Sequence, residues 1–255
     1  MLDVQNQPDL RKIPIDRVGV KNLNYPITVL DRANKIQHTV GSINMYVNLP
    51  HHFRGTHMSR FVEILNEHHR ELHIKVIGEI LHKMKKKLHA QEAHMEVSFP
   101  YFIQKSAPVS GAKSLMKYFC SYMGTLGEKL DFVSSVEIPV TTLCPCSKEL
   151  SSRGAHNQRS VVTVRIRSIK LVWIEELIEY AEISASSPVY ALLKREDEKA
   201  VTEHAYDHPM FVEDVVREMA KKLNSDPRIT WYSVESENFE SIHNHSAYAS
   251  LERKK

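Results

Sequence analysis

The stretch Ser42-Ile-Asn-Met-Tyr-Val-Asn-Leu49 sets Ile43, Met45, Val47 and Leu49 against Ser42, Asn44, Tyr46 and Asn48. A period of two is that of a strand with one face buried and one face wet. Upstream, Tyr25 to Leu30 supplies a partner, so Tyr25 to Leu30 and Gln37 to Leu49 are predicted as a hairpin. The residues up to about Val18 carry no periodicity and read as an arm. Downstream the period lengthens to that of a helix. Met58, Phe61, Val62 and Leu65 recur at helical spacing, and a second helix gathers Ile74, Ile77, Leu81, Met84 and Leu88 on one face. Two further strands follow: Met95, Val97 and Phe99 alternate, and Leu115 to Tyr122 is rich in β-formers. Gly124-Thr-Leu-Gly127 is expected to end the block.

The second half repeats that order without repeating the sequence. Phe132 to Val140 reads as a strand, a polar loop follows, and Ser160 to Ile169 is a strand with Val162, Val164 and Ile166 on one face. Ile174, Leu177, Ile178 and Ala181 make a helix. Ser187-Pro188 has the form of an N-cap with proline at the first helical position, so a short helix is expected there. Pro209 opens a longer helix carried by Val212, Val215, Val216, Met219 and Leu223. Ile229 to Val234 and Ile242 to Leu251 close the chain as strands. The expected class is α+β, with two tandem strand-strand-helix-helix-strand-strand modules over residues 1–127 and 128–255. Antiparallel sheets with helices on one face leave edges open. Closure into a barrel then needs other subunits, which predicts a homo-oligomer.

Composition narrows the classes. At 255 residues, 42% hydrophobic and 25% charged, the chain has enough apolar surface for a proper core. No apolar run is long enough to span a bilayer, and the first residues lack the apolar centre of a signal peptide, so no membrane role and a cytoplasmic setting are expected. The three cysteines are an odd count, and Cys144 and Cys146 sit too close for an easy bridge, which argues against a disulfide framework. A net charge of +3 suits an anionic small molecule as well as nucleic acid. The run Lys83-Met-Lys-Lys-Lys87 is read as a solvated helix face.

The chemistry concentrates in Leu143-Cys-Pro-Cys-Ser-Lys-Glu-Leu-Ser-Ser-Arg-Gly-Ala-His-Asn-Gln-Arg-Ser160. A thiolate and an imidazole on one loop between strands begin either a metal site or a nucleophile–base pair. Cys144 and His156 favour zinc or a similar ion. A cage of four cysteines is excluded by the count, so a third ligand must come from elsewhere. The plain alternative is a loop with two incidental cysteines, although Lys148, Arg153 and Arg159 give them a polar setting unlike that of inert buried thiols. Lys194-Arg-Glu-Asp-Glu-Lys199 reads as an exposed, salt-bridged helix start, with Glu198 singled out among its acids. Glu213 lies at the edge of an apolar helical face; it is either a first-turn acid favoured by the helix dipole or an acceptor for two N–H groups of a ligand. In His243-Asn-His245 both rings share a face if the segment is extended, which suits proton transfer or an ordinary surface.

With these residues in place the chain resembles, over nearly its whole length, the type IB GTP cyclohydrolases of prokaryotic folate synthesis. The resemblance rests on Gly55-Thr-His-Met-Ser-Arg-Phe61, Ala107-Pro-Val-Ser-Gly111, Leu143-Cys-Pro-Cys-Ser-Lys148, Gly154-Ala-His-Asn-Gln-Arg-Ser160, Leu193-Lys-Arg195, Asp197-Glu-Lys199, Phe211-Val-Glu-Asp214 and Val234-Glu-Ser-Glu-Asn-Phe-Glu-Ser-Ile-His-Asn-His-Ser246. It implies the tunnelling fold, a homotetramer with active sites between subunits, and one divalent ion, zinc or manganese, per site. It also implies Cys144, His156 and Glu198 as metal ligands, Glu213 as the purine anchor, and His243 near the reacting ring; Cys144, His156 and His243 are the expected catalytic residues, and His245 is an expected substrate-binding residue. Cys146 has no assigned role. A carboxylate can accept N1–H and the exocyclic amine of guanine together. The metal would acidify the water that attacks C8, formate would leave, and ring closure would give 7,8-dihydroneopterin triphosphate. Arg159, Lys194 and Arg195 are candidates for the triphosphate. Two other readings are a nitrile reductase of the same fold with Cys144 as covalent nucleophile, and a zinc-stabilised RNA-binding protein. Against the latter, the aromatic residues do not form stacking pairs with basic ones.

Overall fold

A computed structural model describes residues 5, 7–68 and 72–255. The chain runs β1 (Ile15–Asp31), β2 (Lys35–Leu49), α1 (Met58–Asn66), α2 (Ile74–Lys87), β3 (Ala93–Ser106), β4 (Lys113–Leu126), β5 (Leu130–Leu143), α3 (Pro145–Leu150), β6 (Asn157–Ser168), α4 (Ile174–Glu182), β7 (Ser187–Pro188), α5 (Arg195–Asp207), α6 (Val212–Ser225), β8 (Ile229–Asn238) and β9 (Ala247–Lys254). Strands follow the order β1-β2-β3-β4-β5-β6-β8-β9, with β7 added to β5. Among the described residues the sheet is antiparallel and does not close on itself. Two compact units emerge, residues 1–100 with 121–134, and residues 101–120 with 135–255.

In the first unit the period-two strand behaves as its pattern requires: Ile43, Met45 and Val47 are fully buried and their neighbours are not. The hairpin is longer than expected. β1 begins at Ile15, inside what reads as an arm, and pairs Ile15 with Leu49. Register shifts between Ile15 and Val18 and between Val20 and Leu23 break the alternation, so this part of the strand lacks a regular period. Residues 1–4 and 6 of the expected arm lie outside the described residues. Gly19 sits in the irregular part; a Cβ there would lie 1.9 Å from the Met45 carbonyl oxygen. The turn is set by buried Asp31, which accepts N–H bonds from Ala33 at 2.8 Å and Asn34 at 2.7 Å.

Helix α1 buries Phe61, Ile64 and Leu65, whereas Met58 and Val62 are exposed, so its face is rotated from the expected one. In α2, Ile77, Leu81 and Met84 are buried as expected and Ile74 is exposed. β4 ends at Leu126, inside the Gly124–Gly127 stretch expected to close the block, but Gly124 itself is not the end. It lies within β4, where a Cβ would come within 2.8 Å of Ile77 Cγ2 and 2.9 Å of Leu81 Cδ1. Its lack of a side chain lets α2 approach the sheet.

In the second unit β6 pairs with β8 and β8 with β9, both antiparallel. Val162, Val164 and Ile166 meet Tyr232 and Val234 beneath Val215, Met219 and Leu223 of α6, all at most 1% exposed. The helix expected at Ser187-Pro188 is absent. Those two residues form β7, paired with Thr141 and Val140, and the next helix starts at Arg195. The last strand begins at Ala247 rather than Ile242. A polar cluster is buried among these elements: Lys105 Nζ bonds Glu182 Oε1 at 2.6 Å and the Val189 carbonyl at 2.8 Å, and the Tyr118 hydroxyl donates to the same Glu182 oxygen at 2.9 Å. Burial depresses the Lys105 pKa, although Glu182 works against it.

Candidate functional site

The site is built where β5 ends and β6 begins. Cys144 N-caps α3, Pro145 fills the first helical position, and the Ser147 N–H donates to Cys144 Sγ at 3.4 Å. The stretch expected to be a plain loop thus contains a short helix. Gly154, at φ +131°, turns the chain back. The Cys144 N–H then donates to the His156 carbonyl at 3.1 Å, and the His156 N–H to Ser147 Oγ at 3.3 Å. The antiparallel return brings the backbones of Cys144 and His156, twelve positions apart in sequence, side by side.

His156 is largely buried, as is Glu240, whose Oε2 lies 3.9 Å from His156 Nδ1. The Phe239 N–H donates to the Arg159 carbonyl at 2.9 Å and so holds the end of β8 beside the start of β6. Glu240 stands in the quoted Val234–Ser246 motif, but only the β6/β8 register shows that it faces His156. His156 Nδ1 also lies 3.0 Å from Gln158 Oε1. Behind Gln158 runs a buried row: Gln158 Nε2 to Thr142 Oγ1 at 2.8 Å, Thr142 Oγ1 to Ser160 Oγ at 2.8 Å, and Ser160 Oγ to Asn238 Oδ1 at 2.7 Å.

Glu198 is exposed on the first turn of α5. Lys148 of α3 bonds the Tyr206 carbonyl and lies over its ring at 4.3 Å, near the far end of α5. Eight residues of helix, roughly 12 Å, separate that tie from Glu198. Among the described residues no three His, Cys, Asp or Glu side chains gather to hold a metal. Cys144 and His156 therefore come together within the chain, and Glu198 is not brought into a cluster with them.

Next to Glu198, Asp197 is fully buried and was not singled out by its sequence setting. It accepts from the Val109 N–H at 2.8 Å, the Ser110 N–H at 2.9 Å, the Ser110 hydroxyl at 2.6 Å and the Lys194 N–H at 2.9 Å. Burial alone would raise its pKa; the hydrogen bonds from Ser110, Lys194 and Val109 outweigh that and hold the carboxyl well below the usual range. The spacing Lys194-x-x-Asp197 is the sequence trace of this N3 acid. Asp197 pins the tip of the β3–β4 hairpin, within the Ala107–Gly111 motif, to the helix that carries Glu198.

The start of α6 is fixed by Met210, whose N–H donates to the Leu143 carbonyl at 3.0 Å, next to Cys144 in sequence. Glu213 itself is exposed. Arg159, Lys194 and Arg195 are exposed as well. His243 and His245 lie in a bent, exposed segment rather than a strand, yet their rings stack at 5.1 Å with planes 18° apart.

A family model described as type I GTP cyclohydrolase folE2 matches residues 1–249. GTP cyclohydrolase FolE2 of Geotalea uraniireducens is 60% identical over 255 residues, covering all of this chain and 94% of the relative. The protein of that name from Syntrophus aciditrophicus is 61% identical, covering 99% of this chain and 100% of the relative. Among solved structures, uricase from Arthrobacter globiformis superposes with a TM-score of 0.53 at 7% identity over 94% of this chain and 93% of that one. Urate oxidase from Bacillus subtilis 168 gives 0.54 at 9% identity over 94% and 98%. At that identity the likeness concerns the fold alone, which is the tunnelling fold.

Proposed function

The chain belongs to the type I GTP cyclohydrolase FolE2 family, and on that premise we propose that it opens GTP at C8, releases formate and forms 7,8-dihydroneopterin triphosphate. It is a GTP cyclohydrolase of folate biosynthesis. The observation that carries the chemistry is the meeting of Cys144 and His156 at the junction of β5 and β6. A soft thiolate and an imidazole suit a divalent transition ion, zinc or manganese, and a carboxylate completes such a set. Cys144 and His156 would hold the ion together with Glu198; Glu240 is a second carboxylate, already beside His156. When bound, the ion supplies Lewis acidity and acidifies water at the reacting carbon.

The remaining steps fall to the chain. Glu213 would accept two N–H bonds from the guanine edge and set C8 in place. His243 would protonate the ring nitrogen as the C8 bond breaks, with His245 stacked on it beside the substrate. Arg159, Lys194 and Arg195 are exposed cations for the triphosphate. Glu198, Glu213, His243 and His245 are all exposed in one chain. Together with the open edges at β1 and β9, this supports a homotetramer whose sites lie between subunits, built from two tandem modules over 1–127 and 128–255. No helix among the described residues is long and apolar enough to cross a membrane; a cytoplasmic setting and no nucleic-acid partner belong to the same proposal. The test is incubation with GTP and added Zn²⁺ or Mn²⁺, oxidation, and pterin fluorescence. A folded protein giving no pterin with any divalent ion would overturn the reading.

A further inference from the structure

The row Gln158–Thr142–Ser160–Asn238 has no role in the steps above, yet it buries four polar side chains side by side. Gln158 is 7% exposed, Thr142 and Ser160 are 0%, and Asn238 is 3%. Buried polar groups persist where every donor meets an acceptor. The donors and acceptors of this row fit in one direction. Asn238 Oδ1 only accepts, so the Ser160 hydroxyl donates to it at 2.7 Å. Ser160 Oγ then accepts from the Thr142 hydroxyl at 2.8 Å, and Thr142 Oγ1 accepts from the Gln158 amide at 2.8 Å. Gln158 is left with its carbonyl Oε1 turned to His156 Nδ1 at 3.0 Å. That oxygen needs a donor, so Nδ1 carries the proton.

A separate observation selects the same direction. Reversing both amides would place an Nδ1 lone pair on His156 toward the Glu240 carboxylate, 3.9 Å away. An N–H there is attracted to both oxygens; a lone pair would be repelled by the carboxylate. We infer that Gln158, aligned by Thr142, Ser160 and Asn238, is a positioning residue that holds the His156 ring as the Nδ1–H tautomer and so leaves Nε2 with the lone pair a metal ion needs. Partners of this kind orient a ligating imidazole and raise its basicity. The row ties the tautomer to the register of β5, β6 and β8, because Thr142, Ser160 and Asn238 come from those three strands.

The inference rests on His156 being a metal ligand, and the experiment separates the two. In metal-free protein labelled with ¹⁵N-histidine, long-range ¹H–¹⁵N correlation should show the neutral His156 ring protonated at Nδ1 rather than Nε2. Gln158→Leu and Thr142→Val should shift the ring toward the Nε2–H form and weaken Zn²⁺ and Mn²⁺ binding, read by chelator competition, about 10- to 100-fold. Thr142→Ser, which keeps the hydroxyl, should restore both. With saturating metal, kcat of Thr142→Val should approach that of the wild type, since the lesion lies in presenting the ligand. Folded variants of Gln158 and Thr142 that keep the Nδ1–H signal and full metal affinity would overturn the row's role. If His156→Ala keeps stoichiometric metal, the ligand assignment falls, and the inference with it. Loss of metal in His156→Ala alongside unchanged Gln158→Leu would defeat the inference alone.

Discussion

At the scale of single residues, three acids on neighbouring elements have different tasks. Asp197 is buried and saturated with donors, Glu198 beside it is exposed, and Glu213 is exposed at the start of α6. The depressed folded-state pKa of Asp197 gives a stabilisation fully present above the ordinary aspartate value of about 3.9 and lost as pH falls through the lower folded value. Asp197→Asn should lower the thermal midpoint at neutral pH. It should then lose less than the wild type on further acidification below about pH 4. Parallel curves in scans at the two pH values would count against this. Cys144→Ala should lose most of the metal and nearly all activity while the fold survives, checked by metal analysis and circular dichroism. On the proposed role of Glu213, Glu213→Gln would put a donor opposite an N–H of the base. It should lower kcat/KM about 10- to 1,000-fold with metal content unchanged, and normal kinetics would return Glu213 to a helix-start acid.

At the scale of elements, α6 is the lid of the second unit's core. Met219 is fully buried among Val215, Leu223, Val234 and Tyr232, so Met219→Ala should cost about 2–5 kcal/mol in urea unfolding. In the first unit, Gly124→Ala pushes a methyl against Ile77 and Leu81 and should cost about 1–3 kcal/mol, as overpacking does. Ser187-Pro188 shows how an element can be misread. The dipeptide has a helix-start signature, but its backbone is claimed by Thr141 and Val140 of β5. A local cap signal cannot compete with a sheet edge already present nearby, and that edge is not visible within the local window.

At the scale of the whole molecule, the order of the described strands begins at β1 and ends at β9, each of the two paired on one side only. Exposed apolar side chains accompany these open ends, among them Ile15 and Ile36 on the first hairpin and Tyr248 on β9. The proposed homotetramer should be found by light scattering at micromolar concentration. A monomer that still turns over GTP would contradict sites shared between subunits.

The sequence by itself determined the elements whose periodicity is local: the β2 strand with Ile43, Met45 and Val47, the apolar face of α2, and the alternation of Val162, Val164 and Ile166 in β6. It also placed Cys144 and His156 as one constellation, because both stand in a single polar stretch and in motifs that resemble a known family. Tertiary structure decided whatever depends on register between distant strands. Glu240 reaches His156 only because β8 ends beside the start of β6, and Gln158, Thr142, Ser160 and Asn238 form a row only because three strands align them. Asp197 is buried rather than solvated because a hairpin tip from another part of the chain folds over it. Periodicity reports which face of one element is buried; it does not carry which groups from other elements that face will meet, and hydrogen bonds between side chains are made at that second level.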